Sequence, residues 1–259
     1  MPIRNSMEEK RVINSLNATY CLDERDKILE LSNILSDIDW EKAGRRFTRS
    51  YWKVQYYLDD STYSDYKLGS NLMEEVVACL LGGHGFRAEI GLLAFHRMKN
   101  LRLIRTGVSL EEIEEAISAP FRWNGKDVHY RFSHQKSKYI YSFLQRSDIN
   151  EFDTLCGSSL RNKLMTIKGI GPKTASWIAR NYDNCEDVAI VDIHIYRAGR
   201  LAGFVNPKWD MQKDYYKIEK SFLEFCHSIN ALPSKMDSIM WNQMKESNRR
   251  AIELLNLQL

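Results

Sequence analysis

From Leu164 to Ala175 the chain reads Leu164-Met165-Thr166-Ile167-Lys168-Gly169-Ile170-Gly171-Pro172-Lys173-Thr174-Ala175. This order constrains the fold more than any other stretch. Two glycines frame one apolar residue, and a proline opens the apolar-periodic segment that follows. Gly169 and Gly171 permit a tight turn that side chains would obstruct. Pro172 suits the first position of a helix, where a missing N–H costs nothing. The pattern therefore predicts two helices joined by a short hairpin, spanning residues 164–180. The unpaired N–H groups at the start of the second helix, helped by its dipole, favour an anion. Lys173 falls in that first turn, beside a place where Gly169 and Gly171 would hold a nucleic-acid backbone.

Helical periodicity dominates the rest of the sequence. Helices are expected over Arg25–Leu35, Asn71–Leu81, Phe86–Lys99, Leu110–Ile117, Ser133–Gln145, Leu160–Ile167 and Pro172–Arg180. Asp192 is expected to cap a helix running to Ala202, and two more helices cover 210–230 and 234–244. Asn124-Gly125 lies within Phe121–Tyr130 and predicts a small β-hairpin. The fold class is thus mainly α, in two helical lobes. The expected division is an N-terminal helical segment, 1–66, and a hairpin-bearing domain, 67–259.

The chain has 259 residues, 44% of them hydrophobic, which is enough for one large core or two. A formal net charge of +3 permits nucleic-acid binding without requiring it. No apolar run reaches the length of a membrane span, and the N-terminus carries no signal-peptide pattern. Cys21, Cys79, Cys156, Cys185 and Cys226 are scattered, as expected of reduced thiols in a cytoplasmic protein. The histidines show no paired metal spacing, so no metal site is expected.

The hairpin, Lys173-Thr174-Ala175, and Val191-Asp192-Ile193-His194 together resemble the helix-hairpin-helix DNA glycosylases, over residues 164–204. The nearest branch is the compact, all-helical 8-oxoguanine DNA glycosylase/AP lyases. Lysine and aspartate stand 19 residues apart (192 − 173). One departure is Lys168, where the family usually has proline before the first glycine. The resemblance implies a monomer that acts on double-stranded DNA, flips out a damaged base and excises it, associated with the nucleoid of a prokaryote. It also raises the question of an iron–sulfur cluster, which some relatives hold with four closely spaced C-terminal cysteines. Only Cys226 lies beyond residue 200, so no such cluster is expected. No cofactor is implied, apart from a monovalent cation that the hairpin can accept.

Residue by residue, the resemblance assigns Lys173 as the amine that attacks C1′ of the flipped nucleotide and forms a Schiff base. Family members with lysine here are typically also AP lyases. Asp192 matches the carboxylate that stabilises positive charge on the sugar, and it also suits helix capping. His194 is expected to fix local backbone. Trp177, one turn after Lys173, and the pair Asp237 and Trp241 are expected to line the base pocket, by stacking and by accepting a hydrogen bond. The loop Gly82-Gly83-His84-Gly85-Phe86-Arg87 offers His84 as a wedge into the gap left by the base, and Arg87 as a contact to a phosphate or the orphaned base. Gln135 and Lys136, with Arg131 and Lys138, are expected on the DNA side. The interleaved basic and aromatic stretch Arg45–Lys53 is a weaker match to such a surface.

The hairpin does not read the base. Oxidised pyrimidines and modified bases of foreign DNA therefore stand beside 8-oxoguanine as substrates. A non-catalytic DNA-binding module is the remaining alternative, and it would need neither Lys173 nor Asp192.

Overall fold

The structure, a computed structural model, describes residues 38, 39, 42, 45–59, 67–83 and 87–256. The helix expected at Arg25–Leu35 lies outside these residues. The described chain is mainly helical, with one two-stranded antiparallel sheet. It divides into two compact units. One is Asp65–Val188; the other joins the N-terminal described residues to the chain from Ala189 onward. The division thus differs from the sequence boundary near 66, because the chain leaves the N-terminal unit and later returns to it. Hydrophobic contacts between residues far apart in sequence produce that return, and no linker composition marks it.

The unit Asp65–Val188 is built from α2 (Leu72–Leu81), α3 (Ala88–Asn100), α4 (Leu110–Ser118), the strands β1 (Phe121–Trp123) and β2 (Lys126–Val128), α5 (Ser133–Leu144), α6 (Ile149–Phe152), α7 (Gly157–Leu164) and α8 (Pro172–Asp183). Val76, Leu80, Phe95, Ile113, Ile140, Leu160 and Ile178 fill its core. Helix starts follow local chemistry. Asn71 accepts from Glu74 N, and Ser109 and Glu112 exchange side-chain and backbone bonds in a full capping box. Asn124 and Gly125 take φ of 48° and 76°, the left-handed pair a tight hairpin turn demands. Phe121 pairs with Val128 and Trp123 with Lys126. Arg97 holds this corner: its guanidinium stacks on Phe121, 3.6 Å from the ring centroid, and donates to the carbonyls of Ala116, Ala119 and Pro120.

The second unit contains α1 (Arg49–Leu58), α9 (Ile193–Ala202), α10 (Tyr215–Ser228), α11 (Pro233–Glu246) and α12 (Asn248–Asn256). Trp52, Ile195, Phe222, Phe225, Met236 and Met240 form its core. The stretch weighed as a DNA surface, Arg45–Lys53, runs into α1, and the buried Trp52 makes one face of it core. Helix α10 starts later than the expected 210. Asp210 accepts from Gln212 N and Lys213 N, and Asp214 accepts from Asp210 N, so two aspartates form a turn before the helix begins.

Candidate active site

The hairpin joins α7 to α8. Its turn is held by Thr166 N to Lys163 O, Ile167 N to Leu164 O and Ile170 N to Ile167 O. Buried Ile167 and Ile170 tie the loop to the core. Gly169 has φ 91°, and a Cβ there would lie 2.3 Å from Cδ2 of Tyr139. Glycine is therefore required at 169 twice over, by backbone conformation and by the ring. Tyr139 itself is fixed from below: its Oη accepts from Gln135 Nε2 at 2.9 Å, while the Lys168 ammonium sits 5.9 Å from the ring centroid.

Gly171 differs. Its φ of −99° and ψ of 179° suit any residue, and a Cβ would meet no atom within 4 Å. The expectation that both glycines make the turn is corrected here: the turn needs Gly169 alone. Gly171 instead leaves open space before the first turn of α8. Gly169→Ala should lower the thermal midpoint by roughly 2–8 °C, from left-handed strain of about 1–2 kcal/mol. Gly171→Ala should leave the midpoint unchanged and weaken duplex binding. Calorimetry and a binding titration on the two variants check this contrast.

The far end of the hairpin is also closed. Gly157 N donates to Asp183 Oδ2 and Ser158 N to Asp187 Oδ2, both at 2.9 Å. Carboxylates at the end of α8 and just beyond it thus cap α7. Burial opposes charge on Asp187, but the hydrogen bonds from Ser158 outweigh it and hold that carboxyl below its ordinary range. These caps explain why α7 begins at Gly157 rather than the expected Leu160.

Lys173 is exposed in the first turn of α8. Trp177 follows one turn later. It packs against the core of its unit while remaining partly exposed. Two cysteines of this unit are poor nucleophiles: burial pushes the Cys79 thiol well up and, with Asp187 and Asp183 nearby, raises Cys185 to about 12.

Asp192 belongs to the second unit. It is 8% exposed and caps α9 through a single oxygen. Oδ1 accepts from His194 N at 2.8 Å and from Ile195 N at 3.1 Å. The His194 ring meets Trp241 edge-on at 6.0 Å between centroids, so α9 and α11 bring these two together. Asp237 is buried at 5% exposure, while Trp241, four residues on, is 38% exposed. That is the reverse of a surface aspartate beside a core tryptophan. A partly exposed indole with a buried acceptor one turn away suits recognition of a planar ring.

The remaining expected residues scatter. His84 lies outside the described residues. Arg87 stacks its guanidinium on Trp123, 4.8 Å from the ring centroid. Lys136 is half-buried and donates to the Gly82 carbonyl at 3.3 Å, and burial lowers its pKa. Its place is thus structural, anchoring the start of the Gly82–Arg87 loop, rather than free on a DNA-facing surface. Gln135 is exposed but committed to Tyr139.

A family model described as 8-oxoguanine DNA glycosylase matches residues 60–231. The chain belongs to the 8-oxoguanine DNA glycosylase family. A relative in Saccharolobus islandicus, an 8-oxoguanine DNA glycosylase/AP lyase, is 32% identical over 135 residues, covering 48% of this chain and 62% of that protein. The chain thus spans less than two thirds of that relative's length. A Metallosphaera sedula protein of the same description is 27% identical over 172 residues, 64% of this chain and 78% of its own. The crystal structure of Methanocaldococcus jannaschii 8-oxoguanine DNA glycosylase aligns with a TM-score of 0.51 at 23% identity, covering 92% of this chain and 94% of that one. The Thermotoga maritima 8-oxoguanine DNA glycosylase gives 0.50 at 21% identity, with 92% and 97% covered. These likenesses show the shared family fold. Among the described residues, no helix is long and apolar enough to cross a membrane.

Proposed function

We propose that this chain is a base-excision DNA glycosylase with AP lyase activity, acting on duplex DNA that contains 8-oxoguanine. The observation that carries the reading is an exposed lysine in the first turn of α8, directly after a hairpin whose Gly169 accepts no side chain. The neutral Lys173 amine attacks C1′ of the flipped nucleotide, and the C1′–N bond breaks with its electron pair leaving on the base. The base takes up a proton as it departs. Sugar-ring opening then gives the protonated Schiff base. Loss of a C2′ proton expels the 3′ phosphate by β-elimination, and water releases the lysine. Asp192 stabilises the positive charge on the sugar as the base leaves. The chemistry calls on an amine and a carboxylate and has no step that needs a redox or metal cofactor.

Asp237 and Trp241 supply recognition. 8-Oxoguanine differs from guanine by a ring N–H donor and a carbonyl, and the buried Asp237 carboxylate is the matching acceptor. A hydrogen bond to a charged group is worth about 1.5–3 kcal/mol, or roughly one to two orders of magnitude in rate. Asp237→Ala should therefore slow 8-oxoguanine release by that factor and spare cleavage of a pre-formed abasic site. Single-turnover assays on the two duplexes test this. A wild-type protein that cuts abasic sites but leaves 8-oxoguanine in place would move the substrate to oxidised or hypermodified pyrimidines.

A further inference from the structure

Three cations contact the end of α11 and the start of α12. Arg46 reaches Ser247 Oγ with Nη1 at 3.4 Å. Arg197, on α9, hydrogen-bonds through Nη1 to Asn248 Oδ1. Lys245, in the last turn of α11, holds its ammonium 4.5 Å from the Trp241 ring centroid. Ser247 and Asn248 are chain neighbours, so the two guanidinium groups converge on one turn. Among the described residues, none of the three has a carboxylate within 4 Å, although Glu246 lies in the same turn. Their neighbours are treated otherwise. Arg249 and Arg250 both pair with Glu253, at 3.4 Å each. Cations with no carboxylate partner among the described residues are free of that competition for an external anion.

We propose that Arg46, Arg197 and Lys245 form a phosphate clamp for the DNA backbone, flanking the flipped nucleotide. The inference rests on the glycosylase reading for its ligand. Its position follows from covalent geometry. A base stacked on Trp241 stays bonded through its sugar to two phosphates, and these must lie just outside the base pocket. Lys245 touches Trp241, and the two arginines bind the next turn of the same chain. The clamp therefore holds the strand beside the flipped base. Its ligand is a phosphodiester, read by charge without regard to sequence.

The test is the salt dependence of binding to a duplex with a reduced abasic site. Each phosphate contact contributes about −0.9 to the slope of log K against log salt. The variant Arg46→Gln/Arg197→Gln/Lys245→Gln should bind more weakly, with a slope shallower by roughly 2–3. Lys245→Gln alone, at an exposed position, should lose about 0.9 and decides the matter if the triple variant does not fold. Slopes equal to wild type, with wild type still forming a borohydride-trapped adduct on 8-oxoguanine DNA, would overturn the clamp and leave the glycosylase reading intact. A shallower slope together with no trapped wild-type adduct would keep the phosphate site and remove the glycosylase reading.

Discussion

Lys173→Gln should abolish base release, strand cleavage and borohydride trapping, while duplex binding persists. Trapping is the direct measurement. Hydride reduces the C1′ Schiff base to a stable secondary amine, so the adduct exists only if a protein amine bonds to the sugar. Removing a covalent nucleophile costs about four orders of magnitude or more in rate. A purely phosphate-binding lysine would instead weaken binding by one contact and shift the salt slope by about 0.9. The two roles thus separate cleanly. The side chain is exposed in the first turn of α8, so the glutamine variant should fold as wild type does. Undiminished trapping by the variant would place the nucleophile elsewhere.

What the sequence disclosed followed from local chemistry. The hairpin, the Asn124-Gly125 turn and the Asp192 cap are each written in residues a few positions apart, and the structure has all three. Long-range packing was not legible. Tyr139 gives no sign in sequence that its ring will sit against Gly169, because it stands thirty positions earlier with two helices between. The same holds for Asp183 and Asp187, which cap N–H groups 26 and 29 positions earlier in the chain.

The candidate site divides along the same line. Lys173 and Asp192 are marked by a local motif and by their spacing. Lys136 shows the opposite failure. A lysine in a basic helical stretch reads as solvent-facing, yet it bends to the Gly82 carbonyl at the end of α2, where buried Tyr130 also donates to Leu81 O. Charge pattern alone does not distinguish a cation that waits for an anion from one spent on a carbonyl. The clamp at Ser247 and Asn248 was equally invisible, since Arg46, Arg197 and Lys245 come from three distant stretches of chain.

Asp192→Asn should separate the capping seen at Asp192 from the charge stabilisation proposed for it. Both capping bonds, from His194 N and Ile195 N, fall on Oδ1. Asparagine keeps a side-chain oxygen in that place and ranks with aspartate as an N-cap. Losing the charge at the helix N-terminus costs about 0.3–1 kcal/mol, or roughly 1–4 °C in the thermal midpoint. Asp192→Ala loses the cap as well, a further ~1 kcal/mol. Catalysis should respond differently. Positive charge gathers on the sugar as the base departs, and a fixed group aimed at charge in the transition state is worth about 10²–10³ in rate. Single-turnover base release should therefore fall by that factor in the asparagine variant while its midpoint hardly moves. Alanine should be no slower than asparagine by more than its lost stability explains. If the asparagine variant excises at nearly the wild-type rate, the charge is dispensable, and Asp192 serves only to begin α9. The carboxylate that answers the sugar would then have to be found on another element.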